Sequence, residues 1–180
     1  MCQCILFAMF EKLKRRALRK RIDQNLSSRD TSQINTGMRT LGFLVDEALI
    51  QETDVFDSFS LDYGLQPKNV KVFTFREVRK RIPSLQQNRV NNKDFNWKGE
   101  ILNQNANEFL DYPFDVLVGY YEGKHEFLDL MVSGSKAGFK VGFQGADDRL
   151  YDLLIGMNPQ DVSGFKKELK KYLTILNKIE

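Results

Sequence analysis

Short apolar runs alternate along this chain with segments of helical spacing, and this alternation limits the folds that the chain can adopt. Five runs rich in Val, Leu, Ile and Phe predict strands: TLGFLVD (40–46), NVKVFTF (69–75), FDVLVGYY (114–121), FKVGF (139–143) and YDLLIGM (151–157). Strands that are apolar on both faces are typical of a parallel sheet covered by helices on both sides. The pattern therefore predicts an α/β fold, a three-layer Rossmann-like domain with a mostly parallel sheet of five to six strands.

The segments between these runs predict the helices. Helical spacing of apolar residues is found at 53–64, 100–111 and 125–134. A last helix is expected to begin with Asn158 as its cap and Pro159 in its first turn.

The other connections are harder to assign. Residues 76–94 are basic and interrupted by Pro83, which favours a loop with at most a short helical turn, and FNW (95–97) is a candidate edge strand. Only seven residues separate Phe143 from Tyr151, too few for an ordinary helical crossover. We expect a tight crossover and a parallel last strand, because that strand leads directly into the last helix.

The charge distribution divides the chain into two parts. Residues 1–29 contain eight basic and two acidic residues, a net charge of +6, whereas the remainder contains 19 basic and 22 acidic residues, a net charge of −3. Residues 23–38 are polar and rich in Ser, Asn and Thr, which is typical of a linker. The sequence therefore predicts a basic helix and polar linker over residues 1–36, followed by a single Rossmann-like domain over residues 37–180.

The basic segment is predicted to form an amphipathic helix. Its apolar side is formed by Leu6, Met9, Phe10, Leu13 and Ala17. Its candidate contacts with an anion or membrane are Lys12, Lys14, Arg15, Arg16, Arg19, Lys20 and Arg21. Such a helix can lie in an anionic membrane interface, bind the phosphates of a nucleic acid, or pack on the domain. Amphipathicity with large apolar residues favours the membrane surface over nucleic acid.

Several functional classes lack their usual motifs. No apolar run approaches the ~20 residues of a membrane span, and the start of the chain does not resemble a signal peptide. Cys2 and Cys4 are the only cysteines, which predicts a reducing, cytoplasmic environment without a structural disulfide or zinc site. The sequence contains no glycine-rich nucleotide fingerprint, P-loop or serine nucleophile elbow. We therefore predict no catalytic residue, no metal and no cofactor.

Ligands of open parallel sheets bind at the carboxyl ends of the strands. The candidate ligand-binding residues at those ends are Asp46, Glu47, Tyr120, Tyr121 and Asn158. Asp46 could contact a ligand or cap the turn that follows it, and the two tyrosines could stack on a sugar or base or simply pack at the sheet rim. The single histidine, His125, is interpreted as an exposed residue at a helix start, and Asp147 and Asp148 as part of a solvated loop.

One segment resembles part of an enzyme family. Residues 114–143, FDVLVGYYEGKHEFLDLMVSGSKAGFKVGF, resemble the acceptor-side half of heptosyltransferase-like glycosyltransferases. The matching positions are Asp115, Ser133, Gly134, Lys136, Gly142 and Phe143. The resemblance implies a Rossmann-like half that, in such enzymes, works with a second nucleotide-sugar-binding domain.

The whole chain resembles a family of short uncharacterised bacterial α/β proteins with a basic amphipathic start, through MFEKLKRRALRKR, LGFLVDE, FNWKG, FDVLVG, FKVGF and YDLLI. That resemblance implies the architecture and no chemistry. We therefore expect a cytoplasmic, non-catalytic protein that binds a partner or small ligand and lies peripheral to the inner membrane. A glycosyltransferase-like subunit and RNA binding through the basic segment are the alternatives.

Overall fold

The computed structural model describes residues 2–79 and 86–179, with side chains from residue 12 onward. Its helices are α1 (Cys2–Ser27), α2 (Ser58–Asp62), α3 (Gln104–Asp111), α4 (Glu126–Gly134) and α5 (Val162–Ile175). Its strands are β1 (Leu41–Asp46), β2 (Val70–Arg76), β3 (Arg89–Asn91), β4 (Val116–Tyr120), β5 (Phe139–Phe143) and β6 (Leu153–Ile155). The predicted loop over residues 76–94 lies partly outside the described residues, because 80–85 are not among them.

The six strands form one sheet in the order β3-β2-β1-β4-β5-β6, and every neighbouring pair is parallel. This is the strand order of Rossmann folds, in which the order reverses between the first strand and the fourth. The predicted α/β class, strand number and parallel pairing are confirmed. The last strand is also parallel, as expected, and it follows a crossover that contains only a short 3₁₀ turn, Asp148–Leu150.

Helices cover both faces of the sheet. On one face α1, α3 and α4 pack over side chains such as Leu44 and Leu117, and on the other α2 and α5 pack over Phe43 and Val118. Successive residues of a strand point to opposite faces, so β1 and β4 supply both cores at once. This arrangement explains why the strands are apolar throughout rather than at every second residue.

Three predicted elements are corrected. The sixth strand is β3, and the candidate strand at 95–97 is wrong: within it, Phe95 makes only an isolated antiparallel bridge to Ile101. The helix predicted at 53–64 is divided into a 3₁₀ turn and the short α2.

The last helix is capped by Asp161, whose Oδ1 accepts from the amide of Gly164 at 2.8 Å. Asn158 instead closes the turn that precedes this cap, because its side-chain oxygen accepts a hydrogen bond from the amide of Gln160.

The predicted linker is fixed to the rest of the molecule. Residues 23–27 belong to α1, and Arg29 beyond it forms a partly buried ion pair with Asp152, with Nη2 2.6 Å from Oδ2. Near the other end of the segment, the buried Lys178 donates to the carbonyl oxygens of Ile34 and Thr36. The predicted boundary between residues 36 and 37 therefore lies within a segment that is tied to the domain at both ends.

Two glycines of the sheet make room for one tyrosine ring. Tyr151 follows the 3₁₀ turn after β5, and its ring lies across Gly119 of β4 and Gly142 of β5. A Cβ atom added at Gly142 would lie 2.7 Å from Cζ of Tyr151, and one at Gly119 would clash with the hydroxyl oxygen of the same ring. Both strands therefore need glycine where the ring crosses them.

We expect Gly142→Ala to lower the free energy of unfolding by about 1–3 kcal/mol, because the new methyl group forces the buried ring of Tyr151 to move. Gly37→Ala is the matched control, since its Cβ would meet no atom closer than 3.8 Å. Urea unfolding of the two variants measures the difference. Equal stability of the two variants would contradict the proposed contact.

Candidate functional site

A cleft of about 750 Å³ opens at the carboxyl edge of the sheet. One wall is α1, through Arg15, Leu18 and Arg19, and the opposite wall is the start of α4, from His125 to Asp129. The loops after β2, β4 and β5 complete the lining. Carboxyl-edge crevices are where Rossmann-like domains bind ligands, so this cleft is the candidate functional site.

His125 caps α4 and lines the cleft. Its Nδ1 accepts from the amide of Leu128 at 3.2 Å, which places the proton of the neutral ring on Nε2. Burial lowers the pKa of His125, while the negative charge of Asp46 opposes that shift. The predicted position at the helix start is confirmed, but the ring is half-buried against Phe75 rather than exposed. Within the described residues Nε2 has no partner, so it can donate to a ligand.

A buried chain of hydrogen bonds connects the first turn of α4 to the sheet. The Tyr151 hydroxyl donates to that of Tyr121 at 2.5 Å, and Tyr121 donates to Oδ1 of Asp129 at 2.8 Å. Oδ2 of Asp129 accepts from the amide of His125 at 3.1 Å. Burial raises the pKa of Asp129 to about 6, although its two hydrogen bonds favour the charged form. Asp129 is thus the one carboxyl group of the described cleft whose pKa is shifted towards neutral pH.

Ion pairs cross the mouth of the cleft. Arg15 of α1 lies 3.4 Å from Glu126 of α4, and Arg149 binds both Asp23 of α1 and Asp147 of its own loop. The bond from Arg149 holds the pKa of Asp147 below its usual range. These exposed pairs connect the two walls of the cleft but contribute little to stability.

Other charges lining the cleft are unpaired. Arg19, Glu77 and Lys124 make no ion pair within the described residues. The cleft therefore offers positive and negative side chains and the neutral Nε2–H donor of His125. This arrangement suits a small polar ligand.

The structure separates the predicted ligand-binding residues. Oδ1 of Asp46 accepts from the amide of Ala48 at 3.0 Å and so stabilises the turn after β1. Glu47 is held by Arg89 at 2.6 Å and by the hydroxyl of Thr74 at 2.7 Å, which ties the end of β1 to β2 and β3. Asn158 is exposed and closes the turn before α5. None of the three lines the cleft, although Asp46 acts electrostatically on His125.

The two predicted tyrosines point to opposite faces of the sheet. Tyr120 packs among the aromatic rings beneath α5 and donates to the carbonyl oxygen of Pro159, whereas Tyr121 packs beneath α4 and donates to Asp129. Their exposed fractions are 0 and 1%. A stacking role requires a ring face open to the ligand, and neither ring has one, so their place in the structure is packing.

The predicted cationic contacts of α1 fall into two groups. Lys14 and Arg15 are held by the domain, Lys14 through the carbonyl oxygen of Asn92 and the ring of Phe127. The remaining five are exposed and have no ion pair or side-chain hydrogen bond within the described residues: Lys12, Arg16, Arg19, Lys20 and Arg21.

Of the described side chains in α1, those on the predicted apolar side are not the buried ones. Among residues 12–27 the buried apolar side chains are Leu18 and Ile22, joined by the partly buried Leu26, whereas Leu13 is 54% exposed. Leu6, Met9 and Phe10 have side chains outside the described residues.

The positions that resemble glycosyltransferases have structural roles. Oδ2 of Asp115 accepts from Arg39 and Thr40 at the amino end of the sheet, away from the cleft. Ser133 bonds to Asn25 of α1, and Gly142 makes room for Tyr151. Asp115, Ser133 and Gly142 thus serve the fold of this chain.

Asp129, Tyr151 and Arg149 were not identified as candidates from the sequence. The available signal for Asp129 was its position four residues after His125 in the first turn of a helix that follows a strand. Tyr151 and Arg149 lie in the short crossover after β5, and only the path of that crossover brings them to the cleft and the sheet.

The described part of the chain holds neither a cluster of metal ligands nor a membrane-spanning helix. No three His, Cys, Asp or Glu side chains there are placed to share a metal ion. None of the helices described combines the length and hydropathy of a bilayer-spanning segment.

The strand order and the carboxyl-edge cleft define a Rossmann-like α/β protein. The chain belongs to a family of unknown function, DUF6913, whose family model matches residues 14–176. No curated protein and no solved structure matches it.

We expect Asp129 to make stability depend on pH. Because its pKa is raised from 3.8 to about 6 on folding, the folded state holds the proton more tightly than the unfolded state. The free energy of unfolding should therefore fall by up to about 2–3 kcal/mol as pH rises from about 4 to 6, and level off above that range. Asp129→Asn should remove this fall.

Urea unfolding at a series of pH values measures the effect, with the exposed Asp148→Asn as the control. A pH profile of Asp129→Asn that is parallel to that of the unaltered chain would contradict the assignment.

Proposed function

We propose that this protein is a non-catalytic recognition protein that binds an anionic membrane surface through α1. The observation that carries the proposal is the free cationic side of this helix, which includes Arg16 and Lys20. The proposed location is the cytoplasm, peripheral to the inner membrane.

The geometry of α1 supports this function. Leu18 and Ile22 face α4 and fix the helix to the domain. With 3.6 residues per turn, Leu13, Arg16 and Lys20 fall on the side away from this contact. A fixed helix that presents basic side chains with an exposed leucine among them is suited to the headgroup region of an anionic bilayer.

The cleft supports recognition rather than catalysis. Nδ1 of His125 is used to cap α4, and both oxygens of Asp129 accept hydrogen bonds from within the domain. Asp129 and Nδ1 of His125 are thus committed to the fold. A small polar ligand, or a segment of a partner protein, could instead bind to Arg19, Lys124 and the Nε2–H of His125.

Two other functions make different predictions. RNA binding would use the same basic side chains and would weaken steeply with added salt, but it gives no role to the exposed Leu13. A glycosyltransferase-like subunit would bind a nucleotide sugar in the cleft, and its thermal midpoint would rise with that ligand. The structural roles of the matching positions make this the weaker alternative.

We expect the double variant Arg16→Gln, Lys20→Gln to bind anionic vesicles about 30-fold more weakly, since each basic residue near the surface contributes about 1 kcal/mol. Co-sedimentation with vesicles of phosphatidylglycerol and phosphatidylcholine measures the partition. The control Lys68→Gln, Lys167→Gln removes the same charge from exposed positions elsewhere and should bind as the unaltered chain does.

Equal loss in the two double variants would show that net charge, and not α1, determines binding. Equal recovery of the unaltered chain with purely neutral vesicles would contradict the membrane proposal. Binding to single-stranded RNA without binding to vesicles would favour the nucleic-acid alternative.

A further inference from the structure

The single tryptophan of the chain is exposed in a short turn before α3. Trp97 is 60% exposed, and the ammonium group of the adjacent Lys98 lies 5.5 Å from its ring centroid. Leu102, at the end of the same loop, is 55% exposed. A large aromatic ring next to a cation, with no burial to account for it, indicates a surface that meets another phase or molecule.

This turn is rigid. Oδ1 of Asn96 accepts from the amides of Lys98 and Glu100, both at 2.9 Å, and the amide of Gly99 donates to the carbonyl oxygen of Asn96. Gly99 has φ +79°, a backbone conformation that suits glycine. The position of Trp97 is therefore set by its neighbours and does not depend on contacts of its own ring.

The turn rests on α1. A Cβ atom added at Gly99 would lie 3.5 Å from the carbonyl oxygen of Ala17 and 3.6 Å from Cβ of Arg21. Ala17 is one helical turn from Leu13, on the same side of α1. The turn that carries Trp97 and Lys98 thus meets α1 at Ala17 and Arg21, on the flank opposite to the cleft-lining Arg15 and Arg19.

We propose that the turn Asn96–Gly99 is a second membrane contact, in which Trp97 enters the bilayer interface and Lys98 lies among the lipid phosphates. The inference rests on the proposed function of α1 and names the part of the domain that reaches the same bilayer. An anionic bilayer fits because Arg16, Lys20 and Lys98 make no ion pair within the described residues, while Leu13 and Trp97 expose apolar surface. An indole ring is suited to this interface, since its ring is apolar and its N–H can bond to water or headgroups.

The emission of Trp97 reports its own environment, because no other tryptophan contributes. On addition of phosphatidylglycerol vesicles to the full chain, the emission maximum should shift to the blue and become quenchable by lipids brominated on the acyl chain. Phosphatidylcholine vesicles should produce neither change.

A matched pair of variants tests the energetic role of the ring. Trp97→Ala should weaken partition into anionic vesicles about tenfold, since the apolar area transferred from water is lost. Leu61→Ala should leave it unchanged, since this 83% exposed leucine lies in α2, on the opposite face of the sheet. Urea unfolding should show that both variants are as stable as the unaltered chain.

The outcomes separate this inference from the proposed function. Vesicle binding with unchanged Trp97 emission would overturn the second contact and leave the role of α1 intact. Absence of any binding would overturn both. A blue shift that depends on protein concentration without vesicles would assign the turn to a contact between copies of the chain and overturn the inference.

Discussion

The packing of α1 against α4 determines which charges of this protein are free. Leu18 and Ile22 turn one narrow side of the helix inwards, and Asn25 adds a 2.9 Å hydrogen bond to Ser133. Because this contact fixes the rotation of the helix, one flank lines the cleft, the other supports the Trp97 turn, and the side between them faces away from the domain. The contacts of Leu18, Ile22 and Asn25 thus determine both which side of α1 lines the cleft and which side is proposed to meet the membrane.

The cleft depends on a second constraint, the passage of Tyr151 over two strands. Glycine at 119 and 142 lets the ring lie on the sheet, and its hydroxyl then reaches Tyr121 and, through it, Asp129. A loop between strands is in this way connected to the first turn of α4. Since Arg149 of that loop also binds Asp23 of α1, the walls of the cleft are joined through one continuous set of contacts.

The sequence predicted the architecture more fully than the site. Apolar runs and their spacing were sufficient to predict the fold class, the parallel sheet and the last strand. A strand that is buried on both faces is apolar at nearly every position, and this pattern is visible in the sequence. The edge strand β3 was missed because only Val90 and Asn91 of its three residues are buried, which is too short for a periodic signal. Tyr120 and Tyr121 were taken together as neighbours in sequence, whereas adjacent residues of a strand face opposite sides. The rotation of α1 depends on buried apolar contacts that, within the described side chains, begin at Leu18, beyond the apolar residues from which the helix was predicted.

The central claim is that a fixed helix presents its basic side to an anionic surface. Its most direct test is the partition coefficient of the full chain on vesicles as the fraction of anionic lipid is raised from zero to an equal mixture. The account predicts a steep rise with anionic fraction that is weakened by added salt, because the attraction comes from unpaired charges. A partition coefficient that stays flat across the series would contradict it.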